Sequence, residues 1–170
     1  MSWQLPGRRL LNGLGALAVL IGLGVALLLE HVVGLEPCPL CIFQRVALIA
    51  VGAVFLLGFL HGPGQLAGRV YAILLLLAAG SGSAIAGRHL WLQQLPPDQV
   101  PACGPGLDFM LAAFPLREAL AMVFQGSGEC AEVHALFGLS LPGWTLLAFV
   151  VLGVYGVWAN AWPRQRLRPV

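Results

Sequence analysis

Pro37-Cys38-Pro39-Leu40-Cys41-Ile42-Phe43-Gln44-Arg45 sets two cysteines, two residues apart, where a polar turn runs into the apolar stretch 46–60. Proline is tolerated in the first turn of a helix, where its missing N–H has no intrahelical partner, so Pro39 marks a helix start. The N-terminal end of the helix dipole favours negative charge, and the thiolate is the reactive form of cysteine. Arg45 follows Cys41 by four residues, so on a helix the guanidinium and the second sulfur share a face one turn apart. An arginine at the edge of an apolar span is costly enough to need a reason. Cysteines at this spacing close a small disulfide ring or bind a metal, and Pro39 with the helix start favours the ring.

Working outward, the composition is 59% hydrophobic and 9% charged over 170 residues, with a mean hydropathy of +0.87. Those values lie far outside the range of soluble domains and predict an integral membrane protein. A bilayer core of about 30 Å needs about 20 apolar residues per helix. Four stretches qualify: 10–29, 42–60, 70–86 and 143–162. The first has the basic lead-in of a signal peptide, Arg8-Arg9. Its apolar run is too long for a signal sequence and no small-residue cleavage site follows, so it reads as a retained helix.

Orientation follows from arginine, because the chain has no lysine. Arg8, Arg9, Arg69, Arg164, Arg166 and Arg168 fall at the N-terminus, between spans two and three, and at the C-terminus, which the positive-inside rule makes cytoplasmic. All seven acids, from Glu30 to Glu132, then fall on or near the opposite side. So do the four cysteines, Cys38, Cys41, Cys103 and Cys130. In a bacterium that side is the periplasm, where disulfides persist.

Between spans three and four lies one long extramembrane segment, 87–142. Its many prolines argue against a single compact domain, and Pro115 interrupts the near-helical apolar spacing of 107–124, a stretch expected to lie apolar side down on the bilayer. Gly126-Ser127-Gly128 is a flexible approach to Cys130. Gly13, Gly15, Gly22, Gly24 and the run Gly80-Ser81-Gly82-Ser83 offer close approach to other helices or to a flat ligand. His31, His61 and His134 read as plain interface or loop residues, and Trp144, Trp158 and Trp162 as interfacial belt. No internal repeat and no nucleic-acid motif is present.

Three chemistries compete for the cysteines. As inert staples, a Cys103–Cys130 bridge would restrain about 28 residues and contribute roughly 3–4 kcal/mol, whereas a CxxC ring closes almost no chain. A zinc site could use Cys38 and Cys41 with Cys103, or Cys130 with His134, but structural zinc sites show a second tight pair, and Cys103 and Cys130 stand far apart. A thiol relay suits two pairs on the oxidising side, a thiolate attacking a disulfide sulfur at each step. No haem-attachment or dinucleotide motif is present to take the electrons. A dithiol at the membrane edge beside an arginine points instead to a lipid-soluble quinone.

Several motifs, in order, carry a resemblance: Pro-Cys-x-x-Cys-Ile-aromatic-x-Arg-Val-Ala at 37–47, Arg88-His89, Cys103 in a proline-bounded loop, Gly-x-Cys-Ala-Glu at 128–132, and Leu-Pro-x-Trp at 141–144. Together they resemble the DsbB family, the quinone-dependent thiol oxidases of the bacterial inner membrane. The vitamin K epoxide reductase family uses similar chemistry, but its loop cysteines precede the CxxC, and here they follow it. The resemblance implies an all-α membrane protein, one unit over 1–170, built as a four-transmembrane-helix bundle with a periplasmic redox loop. It implies multi-pass insertion in the inner membrane, both termini cytoplasmic and all cysteines periplasmic. Cys103 would be attacked by the reduced periplasmic oxidant DsbA, with Cys130 its resting disulfide partner. Cys130 would pass electrons to the Cys38/Cys41 pair, Cys38 exchanging and Cys41 facing a quinone, either ubiquinone or menaquinone. Arg45 would stabilise the charge that develops there, and His89 would belong to the quinone site. Two departures stand out. Gln44 replaces an acid often found before the arginine, which leaves Arg45 without that neighbour, and Val133-His134-Ala135 stands where a tryptophan is common. The alternatives are a vitamin K epoxide reductase-like or DsbI-like oxidase and, in another class, a structural or metal-binding bundle.

Overall fold

Four helices are long and apolar enough to cross a membrane: α1 (Arg8–His31), α2 (Pro39–His61), α3 (Gln65–Gln93) and α6 (Leu141–Ala161). In lipid every backbone N–H and C=O must find a partner inside the protein, and a helix achieves this within one segment. At 1.5 Å per residue they run about 32–44 Å, enough to span a hydrocarbon core of about 30 Å. The computed structural model describes residues 7–34, 37–96, 98–99, 107–126, 128–131, 133, 135–136 and 138–161. Cys103, His134, Trp162 and the C-terminal arginines lie outside the described residues.

The helices are longer than the apolar runs, above all α3, which begins at Gln65 and continues through Arg88 and His89 to Gln93. Hydropathy marks where polarity begins, whereas a helix ends where its hydrogen bonding ends. The stretch 88–92, expected in the extramembrane segment, therefore lies in the last turns of α3, and His89 is only 3% exposed. α2 stops where Gly62 adopts φ 60°, ψ 58° and returns its N–H to the Gly58 carbonyl, a left-handed cap that glycine takes without steric penalty.

The broad interfaces are α3 with α6, α1 with α2, and α2 with α3, and a narrower α1–α6 contact closes the bundle. Val19, Ala47, Val51, Phe55, Leu75, Ala79 and Phe149 form its centre. Glycine opens the space for the rings: a Cβ on Gly82 would lie 2.3 Å from Phe149 Cε1, and one on Gly15 would lie 2.6 Å from the Phe55 ring. Not every expected small-residue contact is used. Gly24 and Gly80 meet nothing within 4 Å, and Gly82 accepts an aromatic side chain instead of a flat ligand. Asn12 of α1 and Asn160 of α6, both fully buried, exchange side-chain hydrogen bonds of 2.9 and 3.0 Å, the arrangement by which polar residues join helices in an apolar medium. Leu20, Leu57, Leu66 and Val154 point outward, as a lipid-facing surface requires.

Between α3 and α6 the chain forms α4 (Leu107–Ala113), α5 (Leu116–Gln125), a 3-10 turn (Gly128–Ala131) and a hairpin of β1 (Ala135–Leu136) with β2 (Leu139–Ser140). Pro115 separates α4 from α5, as its missing N–H dictates. The apolar residues of this segment divide their roles. Met110, Ala119 and Val123 pack on Leu40 and Leu92, while Phe109, Phe114, Leu116 and Phe124 stay exposed. Arg88 holds the end of α5, donating to the carbonyls of Phe124 and Gln125 at 3.1 Å, while its guanidinium sits 4.2 Å above the Trp91 ring.

Gly82→Leu is expected to abolish stable folding, since α3 and α6 would have to separate around Phe149, whereas Gly80→Leu, two residues away, should leave the thermal unfolding midpoint in detergent nearly unchanged.

Candidate functional site

Cys38 is the N-cap of α2. Its backbone is extended (φ −64°, ψ 161°) and its Sγ accepts a hydrogen bond from the Cys41 N–H at 3.4 Å. A helix start leaves several N–H groups without partners. Here one is answered by sulfur, and Pro39 at the first helical position removes another. The same turn brings the two sulfurs to 3.1 Å, a contact between two thiols. Cys41, Gln44 and Arg45 follow on successive turns, so the sequence expectation of a shared helix face holds.

Each of the other long helices contributes a polar side chain. From α3, His89 Nε2 lies 3.8 Å from Cys38 Sγ, and Nδ1 lies 3.9 Å from Cys41 Sγ. Gln44 reaches His89 Nδ1 at 3.1 Å through its amide, and Thr145 of α6 donates to Gln44 Oε1 at 2.7 Å. Gln44 and His89 are 4% and 3% exposed, so these contacts stand where water would otherwise be needed. From α1, Glu30 pairs with Arg45, whose second amino group donates to the Ala26 carbonyl at 3.3 Å. Arg45 thus has an acidic neighbour after all. It comes from a different helix, and the residue expected to leave it bare, Gln44, serves His89 instead.

These groups line an apolar cavity of about 880 Å³ between α1, α2, α3 and α6, whose wall includes Ala26, Leu48, Ala148 and Phe149. Of the expected site residues, Cys38, Cys41, Arg45 and His89 converge on it. Cys130 is fully buried in the apolar cluster that also contains Cys38, Leu40 and Leu92. Cys103 lies outside the described residues. Ligating atoms of Cys38, Cys41 and His89 all fall within 4.8 Å of one another, two sulfurs and a nitrogen that zinc would accept, but among the described residues no fourth His, Cys, Asp or Glu joins them. Each expected metal set includes a residue, Cys103 or His134, that lies outside the described residues.

Sequence reading missed Glu30, Gln44 and Thr145. Only Gln44 left a signal, three residues after Cys41 and so on its face of α2. His31 and His61 stay apart from the site, bonded to the Leu27 carbonyl and to Tyr71. Trp144 does more than face an interface: its Nε1–H donates to the Leu136 carbonyl at 3.0 Å and ties the hairpin to α6.

A bundle of four membrane-capable helices with a dithiol at one helix start defines a class, the multi-pass membrane thiol oxidoreductases. Comparison with known proteins narrows it. The sequence matches the family described as disulfide bond formation protein DsbB over residues 8–159. Among similar proteins, each called "Disulfide bond formation protein B", that of Nitrosococcus oceani is 55% identical over 146 residues, covering 85% of this chain and 86% of the relative. That of Acinetobacter baylyi is 52% identical over 160 residues, covering 93% and 92%. That of Hahella chejuensis is 54% identical over 144 residues, covering 84% and 86%. The chain belongs to the DsbB family.

Side chains of Arg45 and Glu30 are 24% and 28% exposed, so screening limits what their pairing adds to stability. Glu30→Gln is expected to change stability little, because solvent screens the pair. His89→Ala removes the contact that the buried Gln44 Nε2 makes, leaving Thr145 on the other end of the amide, and is expected to cost about 1–3 kcal/mol. Thermal unfolding of the purified variants in detergent checks both, and equal losses would contradict this ranking.

Proposed function

We propose that this chain is a thiol oxidase of the bacterial inner membrane that takes electrons from a reduced periplasmic DsbA-type protein and delivers them to a membrane quinone. The observation that carries the reading is the opening of the Cys38/Cys41 pair into an apolar cavity of about 880 Å³ whose wall also holds Arg45 and His89. A flat ring with an apolar tail calls for this kind of slot, mostly hydrophobic with a few placed polar groups. A quinone bound there, ubiquinone or menaquinone, supplies an acceptor for two electrons and two protons.

The roles fall to this chain's own residues. Cys103, in the segment of chain between α3 and α6, receives the attack of the partner's thiolate, and Cys130 closes the resting disulfide with it. Cys130 then attacks Cys38 of the CxxC disulfide, a sulfur–sulfur bond forming as the one to Cys41 breaks, and Cys41 leaves with the electron pair. Arg45 offers positive charge where negative charge gathers on Cys41 and on the acceptor's oxygen, and Glu30 and the Ala26 carbonyl hold its guanidinium in place. His89 completes the polar wall of the acceptor site. Holding both sulfurs at one helix tip makes each exchange effectively intramolecular. The distribution of arginine supports an orientation with both termini in the cytoplasm and all four cysteines in the periplasm.

Quinone reduction by the purified protein with a reduced DsbA-type donor tests the reading. Cys41→Ser is expected to abolish turnover. Ala148→Trp, which fills the cavity and leaves the cysteines intact, is expected to raise the quinone KM by about tenfold, a loss of roughly 1.4 kcal/mol of binding. A Cys41→Ser protein that still reduced quinone at the native rate would refute the assignment.

A further inference from the structure

Cys38, His89, Gln44 and Thr145 stand in a row that crosses three helices. Cys38 Sγ lies 3.8 Å from His89 Nε2, His89 Nδ1 lies 3.1 Å from the Gln44 amide, and the other end of that amide lies 2.7 Å from Thr145 Oγ1. Cys38, Gln44 and His89 are all buried. A carboxamide turned over by half a rotation puts its oxygen where its nitrogen was, so two hydrogen-bond patterns fit the same heavy atoms. In the first, Thr145 donates to Gln44 Oε1, Gln44 Nε2–H donates to His89 Nδ1, and the ring proton sits on Nε2 facing Cys38. In the second, Thr145 donates instead to the Pro142 carbonyl, 2.9 Å away, and accepts from the Gln44 amide. Gln44 Oε1 then accepts from His89 Nδ1–H, and the Nε2 lone pair faces the Cys38 thiol. Both patterns are open because the one hydroxyl proton of Thr145 has two acceptors within reach.

We propose that Cys38, His89 and Gln44 form a thiol-activating triad in which His89 is the base, Gln44 the group that orients it, and Thr145 the anchor that lets the Gln44 amide serve in either orientation. A nucleophile, a base within reach and a third group holding the base is the general logic of activated nucleophiles, and a side-chain amide can fill the third place beside a cysteine. The inference rests on the thiol-oxidase reading of the site and deepens it.

The step balances within the chain. Cys38–SH hands its proton to His89 Nε2 and keeps the electron pair as thiolate. The imidazolium, now N–H at both nitrogens, is held at Nδ1 by Gln44 Oε1 in the second pattern. The thiolate attacks one sulfur of a disulfide, a new S–S bond forms, and the old one breaks. The departing sulfur takes the bonding pair and then the proton from His89 Nε2. In the electron-delivering direction of the relay the same exchange runs in reverse, Cys38 leaving the Cys38–Cys130 disulfide as thiolate and recovering its proton from His89 Nε2. Nothing outside the exchange is oxidised or reduced. Among the described residues, the titratable groups around the ring are Cys38 and Cys41 from α2 and Cys130 from the 3-10 turn, whose main chain also reaches it. Arg45 and Glu30 line the same cavity, paired with each other.

The test needs neither quinone nor a thiol partner. The full-length protein, reduced in detergent micelles at neutral pH, is treated with methyl methanethiosulfonate, and modification of Cys38 is timed by peptide mass spectrometry. Thr145→Val is expected to slow Cys38 by about tenfold, less than loss of a positioned base itself would cost, and Thr145→Ser to return it to within about twofold of the native rate. Gln44→Leu is expected to slow it at least as much as Thr145→Val, and Gln44→Glu, which always offers an acceptor to Nδ1–H, to keep the native rate. Loosened packing would expose Cys38 and speed the reaction, so slowing in a variant that keeps the native unfolding midpoint reports lost activation. Equal rates for Thr145→Val and Thr145→Ser would overturn the proposal, and those two variants decide it should Gln44→Leu fail to fold. Because no acceptor is present, a native chain that failed to reduce quinone would sink the wider reading without touching this result.

Discussion

The first turn of α2 is the constraint on which the site depends. In an apolar medium a helix start cannot leave its N–H groups bare, and this one answers them with a cysteine sulfur and a proline that has no N–H to satisfy. The residues that begin the helix are thus the residues of the candidate dithiol. Their 3.1 Å contact is a consequence of capping geometry, and a change that shifted the cap would move the sulfur pair with it.

Around that turn the other three long helices act as suppliers of single polar groups. Burial of Gln44 and His89 would be unfavourable if either lacked partners, and each finds one on a different helix. The same holds for Arg45, whose charge at the mouth of an apolar cavity is met by Glu30 and a main-chain carbonyl of α1. Removing any one of these helices would strip a partner from the site, which is why it exists only in the assembled bundle. Glycines set how closely the helices come together. Where Gly82 receives Phe149 and Gly15 receives Phe55, large rings close the core beneath the cavity and leave the space above it open.

Cys130 reaches this site through a second apolar cluster. Met110, Ala119 and Val123, from the two short helices that Pro115 separates, pack on Leu40 and Leu92 and bury Cys130 beside Cys38. Arg88 fastens the end of α5 to α3 through two main-chain carbonyls, so the approach to Cys130 is anchored immediately before the turn that carries it.

Much of this was legible in the sequence, because it depends on local chemistry and on totals. Four apolar runs of the right length demand four spans, Pro39 after Cys38 demands a helix start, and Cys41 and Arg45 share a face through helical periodicity alone. The break at Pro115 is equally local. The true ends of α3 were hidden, since hydropathy reports polarity and not hydrogen bonding, and His89 is helical, polar and buried at once. Glu30, Gln44 and Thr145 stand far apart in the chain from the groups they serve, and no spacing rule connects 30 with 45, 44 with 89, or 145 with 44. Those pairings are set by how four helices pack, which is where the tertiary structure alone determines what each polar side chain faces.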